Sequence, residues 1–128
     1  MDKKKRVLAV DDEPGILQFL RISLTHAGYD VITTGDGEEA LKLAKSENPD
    51  IMLVDIVMVP LSGFDVLENL RTFSKVPVIV FTAKSFIAGK AMEMGATDFI
   101  AKPFHPDELI KKIEDILDGR KPSETGTN

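Results

Sequence analysis

Apolar runs of strand length alternate along this chain with segments whose apolar residues recur at helical spacing. Five such runs are predicted to be buried β-strands: Arg6–Asp11, Tyr29–Thr33, Asp50–Asp55, Pro77–Thr82 and Thr97–Ala101. In the central run, Asp-Ile-Met-Leu-Val-Asp, the apolar residues follow one another without a break between two carboxylates. A strand this apolar is typical of a parallel sheet whose two faces are both covered by helices.

The first and last helices carry recognisable signals at both ends. Pro14 is predicted to be the first residue of a helix that ends at Gly28, and Pro106 to open a last helix that ends at Gly119. Proline suits the first helical turn, where its missing N–H leaves no bond unmade, and glycine is common just past a helix end because it adopts positive φ easily.

Three more helices are predicted between these two, over Glu38–Lys45, after Ser62, and over Ser85–Met94. The last of them contains Gly89, which costs about 1 kcal/mol relative to alanine inside a helix, so we expect it to be the least stable. Five strands alternating with five helices predict the α/β class, with a doubly wound, mainly parallel sheet, right-handed crossovers and helices on both faces.

Composition and charge narrow the class of protein. With 128 residues, 43% of them hydrophobic, we expect one domain over residues 1–119; residues 120–128 carry no apolar side chain and are predicted to be a disordered tail or the start of a linker. The net charge of -5 argues against nucleic acid as a direct partner. There is no cysteine, and no stretch suggests export or a membrane span, so we expect a cytoplasmic protein without disulfides.

Polar residues stand at the ends of the predicted strands. Asp11 and Asp12 follow the first strand, Asp55 ends the third, Thr82 ends the fourth and Lys102 follows the fifth. The carboxyl ends of parallel strands lie at one edge of the sheet, where open α/β folds bind ligands. We therefore expect these residues to converge, although each alone could merely cap a helix, bond a loop amide or lie in solvent.

This combination of side chains favours phosphoryl chemistry. Three crowded carboxylates repel each other unless a cation neutralises them, and an all-oxygen ligand set suits Mg²⁺ before Ca²⁺. A lysine and a hydroxyl on the same rim are suitable donors to a phosphoryl group. Asp55 could then act as a nucleophile, because aspartyl phosphates are an established form of covalent catalysis.

At these positions the chain resembles the receiver domains of two-component response regulators. The similar motifs are Asp11-Asp12-Glu13-Pro14, Asp55 followed by Met58 and Gly63, Thr82-Ala83, and Lys102-Pro103-Phe104, and the similarity runs from about Arg6 to Leu117. It implies the flavodoxin-like strand order 2-1-3-4-5, for which a member of this family is itself a standard example. The resemblance also favours a cis bond before Pro103, whereas the general frequency of about 5% for such bonds does not.

The resemblance further implies a role for each site residue. Asp55 would be the phosphoacceptor, Lys102 would pair with the phosphoryl group, Thr82 would be the switch hydroxyl and Phe99 the switch aromatic. Mg²⁺ would be the cofactor, and its ligands would be Asp11, Asp12, Asp55 and the backbone carbonyl of Val57.

By the same resemblance the chain is expected to be a switch rather than a turnover enzyme. It would take a phosphoryl group from a sensor histidine kinase or a phosphotransfer protein and then change the conformation of a partner-binding face. A downstream target, a fused output domain and a phosphorylation-dependent homodimer are expected partners of that face. Val57 and Lys84 would flank the attacking water, and neither is a ready general base, so slow autodephosphorylation is expected.

Two features depart from the usual pattern of the family. Val59 stands between Met58 and Pro60, where the family usually has proline directly after the residue that matches Met58. The segment from Thr82 to Lys102 is also slightly shorter than the commonest spacing. The shorter segment makes the length of the fourth helix, and of any partner face built on it, an open question.

Two enzyme classes remain as alternatives. The run Gly35-Asp36-Gly37-Glu38-Glu39-Ala40 fits the dinucleotide-binding pattern G-x-G-x-x-A, but Glu38 and Glu39 would place negative charge where a pyrophosphate should bind. An aspartyl-phosphate phosphatase would form the same intermediate as a receiver, but that class typically has a second aspartate two residues after the nucleophile. Here that position is Val57.

Overall fold

A five-stranded parallel sheet with the strand order β2-β1-β3-β4-β5 organises the computed structural model of this chain, which describes residues 3–119. The strands are β1 (Arg6–Val10), β2 (Asp30–Thr34), β3 (Ile51–Asp55), β4 (Val78–Thr82) and β5 (Asp98–Ala101). The helices are α1 (Pro14–His26), α2 (Gly37–Ser46), α3 (Gly63–Leu70), α4 (Ala88–Glu93) and α5 (Pro106–Leu117). The predicted fold class and strand order are confirmed, whereas the tail predicted for residues 120–128 lies outside the described residues.

The two faces of the sheet are buried by different helices. Because successive side chains of a strand point to opposite faces, Val7 and Ala9 pack with α1 and α5, whereas Leu8 and Val10 pack with α2, α3 and α4. Every residue of β3 is buried, as expected for the central strand of a doubly wound sheet.

The predicted ends of the first and last helices are confirmed. Pro14 and Pro106 are the first residues of α1 and α5. Gly28 and Gly119 follow the two helix ends with φ values of 101° and 83°, a conformation that side chains other than glycine rarely adopt.

The fourth helix is shorter than the predicted Ser85–Met94. One turn of 3-10 helix, Ser85–Ile87, precedes α4, which then spans only 6 residues. Its N-cap residue, Ile87, has no side chain that can accept a hydrogen bond from the free amides of the first turn, and an uncapped helix with an internal glycine is expected to be short.

The register of the sheet brings the strand ends together. Val10 pairs with Val54, Asp55 with Phe81, and Thr82 with Ala101, so the residues that end or follow β1, β3, β4 and β5 reach the same edge. The predicted convergence is confirmed. Among residues 3–119 there is no helix whose length and apolar character would let it cross a membrane.

Candidate functional site

Three carboxylates meet beyond the ends of β1 and β3. Asp11, Asp12 and Asp55 each place one oxygen within 4.8 Å of the others, and Asp11 and Asp55 are buried whereas Asp12 is exposed. Asp11 comes directly after β1 and Asp55 is the last residue of β3, so paired neighbouring strands fix their separation. These are oxygen donors of the kind that hard divalent cations prefer.

Lys102 neutralises part of this charge. Its Nζ lies 3.0 Å from Asp11 Oδ2 and 3.5 Å from Asp55 Oδ2, and its side chain is only 14% exposed. Burial lowers the pKa of Lys102, but the hydrogen bond and charge of Asp11, with those of its other acidic neighbours, outweigh burial and raise the pKa. The ammonium therefore stays charged at neutral pH. Because the side chain is buried, Lys102 is not simply a solvated surface lysine.

Burial and an acidic neighbour destabilise the charged form of Asp55. Burial and the charge of Asp11 raise its pKa to about 6, although Lys102 and the amide of Val57 act in the opposite direction. Close to neutral pH a bound cation would therefore stabilise the charged form of this carboxylate. The all-oxygen donor set, the buried negative charge and the open side at Asp12 fit Mg²⁺, which keeps several waters and takes few protein ligands.

The loop after β3 is held tightly against the end of the strand. The amide of Gly63 donates to the carbonyl of Ile56 at 2.8 Å, and a Cβ added at Gly63 would lie 2.6 Å from Ile56 Cα. The amide of Val57 donates to Asp55 Oδ1 at 3.3 Å, while Val57 as a whole is 51% exposed. Glycine is therefore required at position 63, and the loop fixes both Asp55 and the backbone of Val57.

Thr82 and Lys84 border the carboxylates on the β4 side. Thr82 is buried, and its Oγ1 accepts a hydrogen bond of 3.0 Å from the amide of Lys84. The pocket between the two sides has a volume of about 190 Å³ and is lined by Glu13, Asp55, Val57, Thr82, Ala83, Lys84 and Lys102. The Thr82 hydroxyl thus accepts a hydrogen bond from a loop amide, and it also borders the space that a substituent on Asp55 would enter.

Phe99 lies on β5 outside this pocket lining. It is half-buried, pairs in register with Val80, and packs against the core on the α3 and α4 side.

The peptide bonds before Pro60 and Pro103 are both cis. The question left open for Lys102–Pro103 is therefore resolved in favour of cis.

Two residues near Lys102 received no role from the sequence. Glu13 Oε1 lies 3.6 Å from Lys102 Nζ, and the ring centroid of Phe81 lies 5.0 Å from the same atom. Glu13 belongs to the Asp-Asp-Glu-Pro motif, so its position was visible, but its contact with the lysine that follows the fifth strand was not. Phe81 resembles any other core residue of an apolar strand.

An apolar groove of about 490 Å³ adjoins the carboxylate pocket. It is lined by Glu13, Ile16, Phe19, Ala83, Lys102, Pro103 and Phe104, three of which, Glu13, Ala83 and Lys102, also line the pocket. The rings of Phe19 and Phe104 lie 6.2 Å apart, and Phe19 is 37% exposed. A partner seated in this groove would therefore reach the carboxylates directly.

The glycine-rich run before α2 has a structural role. A Cβ at Gly37 would lie 2.9 Å from both Leu61 Cβ and Val66 Cγ2, so this glycine allows α2 to approach α3. The side chain of Asp36 accepts from the amide of Glu39 and caps α2. The amides that would bind a pyrophosphate are thus partly used already, which argues against a dinucleotide site.

Comparisons with known proteins agree with this geometry. The chain matches the family described as "Response regulator receiver domain" over residues 7–114. It is 42% identical over 117 residues to the probable transcriptional regulator ycf27 of Porphyridium aerugineum, which covers 90% of this chain and 49% of that protein. It is 41% identical over 116 residues to the alkaline phosphatase synthesis transcriptional regulatory protein PhoP of Bacillus subtilis, covering 88% and 48%. The chain thus spans about half the length of these curated relatives.

Solved structures give the same result. The chemotaxis response regulator CheY4 of Vibrio cholerae is 33% identical with a TM-score of 0.82, over 89% of this chain and 99% of that one. The response regulator TrrA of Thermotoga maritima, solved in complex with Mg(2+)-BeF, is 36% identical with a TM-score of 0.81, over 88% and 98%.

Proposed function

The chain belongs to the response regulator receiver domain family, and on that premise we propose that Asp55 accepts a phosphoryl group from a phosphohistidine donor. As a receiver domain, the chain is a phosphorylatable switch of two-component signalling rather than a turnover enzyme. One observation carries the choice of Asp55: its carboxylate ends the central strand, touches Lys102 at 3.5 Å and lies within 4.8 Å of oxygens from Asp11 and Asp12.

We assign the Mg²⁺ site to Asp11, Asp12, Asp55 and the backbone carbonyl of Val57. The three carboxylates supply the charge, and the loop that ends at Gly63 fixes the backbone of Val57 beside Asp55. When bound, Mg²⁺ would offset the repulsion among the carboxylates and stabilise the charge of the phosphoryl oxygens.

In the proposed transfer, an oxygen of Asp55 attacks phosphorus while the bond between phosphorus and the donor's histidine nitrogen breaks. The histidine leaves with the bonding electron pair, and an acyl phosphate forms on Asp55. Lys102 is already beside Asp55 and would pair with a phosphoryl oxygen, which requires a short shift away from Asp11. No proton has to be removed from Asp55, because the carboxylate is the attacking species.

Thr82 and Phe99 are proposed to convert this local event into a change of surface. The Thr82 hydroxyl would leave the amide of Lys84 and donate to a phosphoryl oxygen. Phe99 is half-buried on the neighbouring strand, so it has room to repack when Thr82 and the loop after β4 move. The altered face would include α4, which lies between these two residues in sequence.

A histidine kinase is the partner that the receiver family implies, and we propose that its phosphohistidine helix docks in the apolar groove beside Lys102. Ile16, Phe19 and Phe104 would contact the apolar face of that helix, and the shared wall at Lys102 would leave the phosphoryl group next to Asp55. Helix-in-groove docking of this kind is a common recognition mode.

Because the curated relatives are named transcriptional regulators, we propose a transcriptional output for the protein that carries this domain. We also propose a cytoplasmic location, which suits a histidine kinase partner and the cysteine-free sequence.

Incubation with a small phosphodonor and Mg²⁺ tests the proposal. We expect one phosphoryl group to be incorporated per chain. In Asp55→Asn the labelling should fall by at least about 100-fold. The control Asp107→Asn, which removes an exposed carboxylate from α5, should be labelled fully. Rapid release of inorganic phosphate without accumulated label would instead indicate a phosphatase. Labelling that persists in Asp55→Asn would place the chemistry on another residue.

A further inference from the structure

Glu13 occupies a helix-capping position without capping the helix. It is the N-cap residue of α1, where Ser, Thr, Asp and Asn are preferred because their short side chains reach the free amides of the first turn. The Glu13 side chain makes no such bond. Its backbone does serve the turn, since its amide donates to Asp11 Oδ1 at 2.9 Å and its carbonyl accepts from the amides of Ile16 and Leu17.

The side chain of Glu13 is directed instead to Lys102. Its Oε1 lies 3.6 Å from Lys102 Nζ, which is longer than a hydrogen bond, so the contact is an attraction between charges. Asp11 and Asp55 hold the same ammonium from the buried side, whereas the Glu13 side chain is 66% exposed. The ammonium is therefore in contact with two buried carboxylates and one exposed carboxylate.

In this arrangement, the Lys102 ammonium and a metal ion would compete for Asp11. The Lys102 ammonium holds Asp11 Oδ2 at 3.0 Å, and Asp11 is also one of the three carboxylates assigned to the metal site. Two cations held by the same carboxylate repel each other. A negative charge on the outer side of Lys102 makes it easier for the ammonium to withdraw.

We propose that Glu13 is a positioning residue, which draws the Lys102 ammonium outward so that Asp11 and Asp55 are free to bind Mg²⁺. The inference rests on the proposed function for the identity of the metal site, but it does not depend on which residue is phosphorylated. Glu13 is required neither as a metal ligand nor as a group that touches the phosphoryl.

Titration of the unphosphorylated protein with Mg²⁺ by calorimetry at fixed low salt tests this role. We expect Glu13→Gln to weaken Mg²⁺ binding by about threefold to tenfold, since an added charge contact near a protein surface has an effect of this order. Glu38→Gln is the matched control, because it removes an exposed carboxylate from the first turn of α2 at the same edge of the sheet. It should change the affinity by less than about twofold.

A double-substitution cycle separates positioning from a direct effect of charge on the metal. If Glu13 acts through Lys102, then Glu13→Gln should change the affinity by less than about twofold when Lys102→Met is already present. An undiminished effect in that background, or equal effects of Glu13→Gln and Glu38→Gln, would overturn the proposal. Phosphoryl labelling is not measured, so failure here leaves the assignment of Asp55 untouched.

A second measurement needs no change at Lys102. In the metal-free protein, the ¹⁵N resonance of the Lys102 Nζ should shift in Glu13→Gln and stay in place in Glu38→Gln. The conservative variant Glu13→Asp keeps the charge on a shorter side chain and should restore part of the Mg²⁺ affinity. An unshifted Nζ resonance in Glu13→Gln would show that Glu13 does not position Lys102.

Discussion

The carboxylate pocket has two sides that are built differently. On the β1–β3 side, which comprises Asp11, Asp55 and the loop that ends at Gly63, carboxylates and amides are hydrogen-bonded to the adjacent backbone. On the β4–β5 side, which comprises the segment from Thr82 to Lys102, the helix α4 has 6 residues, no side-chain cap and a glycine where an added Cβ would meet no atom within 4 Å.

The difference corresponds to two physical requirements. Binding a cation and orienting an attacking oxygen need side chains held in fixed geometry, which the β1–β3 side provides. A switch needs a segment whose rearrangement costs little free energy, and short, poorly capped helices are of that kind. In this protein the pocket lies between a fixed side, β1–β3, and a side that rearranges more easily, β4–β5.

The largest effect is expected from filling the contact that fixes the β1–β3 side. Gly63→Ala would place a Cβ 2.6 Å from Ile56 Cα and against the carbonyl of Asp55, both of them backbone atoms that cannot move independently. We expect this variant to lose about 3 kcal/mol of unfolding free energy, as measured by urea denaturation. Gly15→Ala is the control, because a Cβ at Gly15 meets nothing within 4 Å, and it should not destabilise the protein. A loss below about 1 kcal/mol in Gly63→Ala would mean that the loop is not held tightly.

The second prediction concerns charge on the same side. Burial and Asp11 raise the pKa of Asp55 to about 6, above the value of about 4 of an unfolded chain, so the folded state binds this proton more tightly. The stability that this group contributes is present below pH 4 and is lost as the pH rises through 6. In the metal-free protein, Asp55→Asn should therefore raise the unfolding free energy by roughly 1–3 kcal/mol at pH 7.5.

Two conditions should remove that gain. Below about pH 4 the carboxyl is protonated in both states, so the parent and Asp55→Asn should become similar in stability. Saturating Mg²⁺ should favour the parent, because a ligand that binds the folded state stabilises it. A gain from Asp55→Asn that is independent of pH would mean that relief of charge repulsion is not its cause.

A smaller effect is expected on the β4–β5 side. A Cβ at Gly89 would meet no atom within 4 Å, so Gly89→Ala should stabilise α4 by about 0.5–1 kcal/mol and slow its amide exchange. In the parent, amides of α4 should exchange much faster than those of β4. The end of α4 near Gly95 should be the more protected, because Arg71 donates two hydrogen bonds to the Gly95 carbonyl. Equal exchange in α4 and β4 would contradict the comparison.

The sequence was most informative where local rules govern the structure. Pro14 and Pro106 mark helix starts. A parallel sheet must bring Asp11, Asp55, Thr82 and Lys102 to one edge, so the members of the site can be predicted from the sequence. The resemblance supplied the strand order, which periodicity alone cannot give.

What the sequence did not supply depends on distances across the fold. The contact between Glu13 and Lys102 joins a helix start to the residue after β5, and no local pattern shows that the two side chains meet. The length of α4 follows from the balance between one missing cap, one glycine and the burial of Ala91, and that balance is too small to be decided by periodicity.

The last prediction concerns the place where the two sides meet, at Val57 on the first and Lys84 on the second, which both line the pocket beside Asp55. From the family resemblance, we expect water that attacks a phosphorylated Asp55 to pass between them. Val57 has no polar atom that could accept a proton, and the Lys84 ammonium is suited to stabilising the phosphoryl charge rather than to activating water. We therefore expect slow loss of phosphate, and decay about threefold to tenfold faster in Val57→Asn or Lys84→Glu, well below the roughly 100-fold of a well-placed base.

The controls for this lifetime lie just outside the pocket. Val59→Asn makes the same change at a residue that is 76% exposed and does not line the pocket. Lys90→Glu makes the same charge reversal on α4, where the lysine Nζ lies 4.8 Å from the ring centroid of Phe64. Both should keep the parent's rate in a measurement of Mg²⁺-dependent decay. If Val57→Asn and Lys84→Glu also keep that rate, then neither side chain limits the attack of water, and the lifetime must be set by the positions of the site carboxylates and of Lys102.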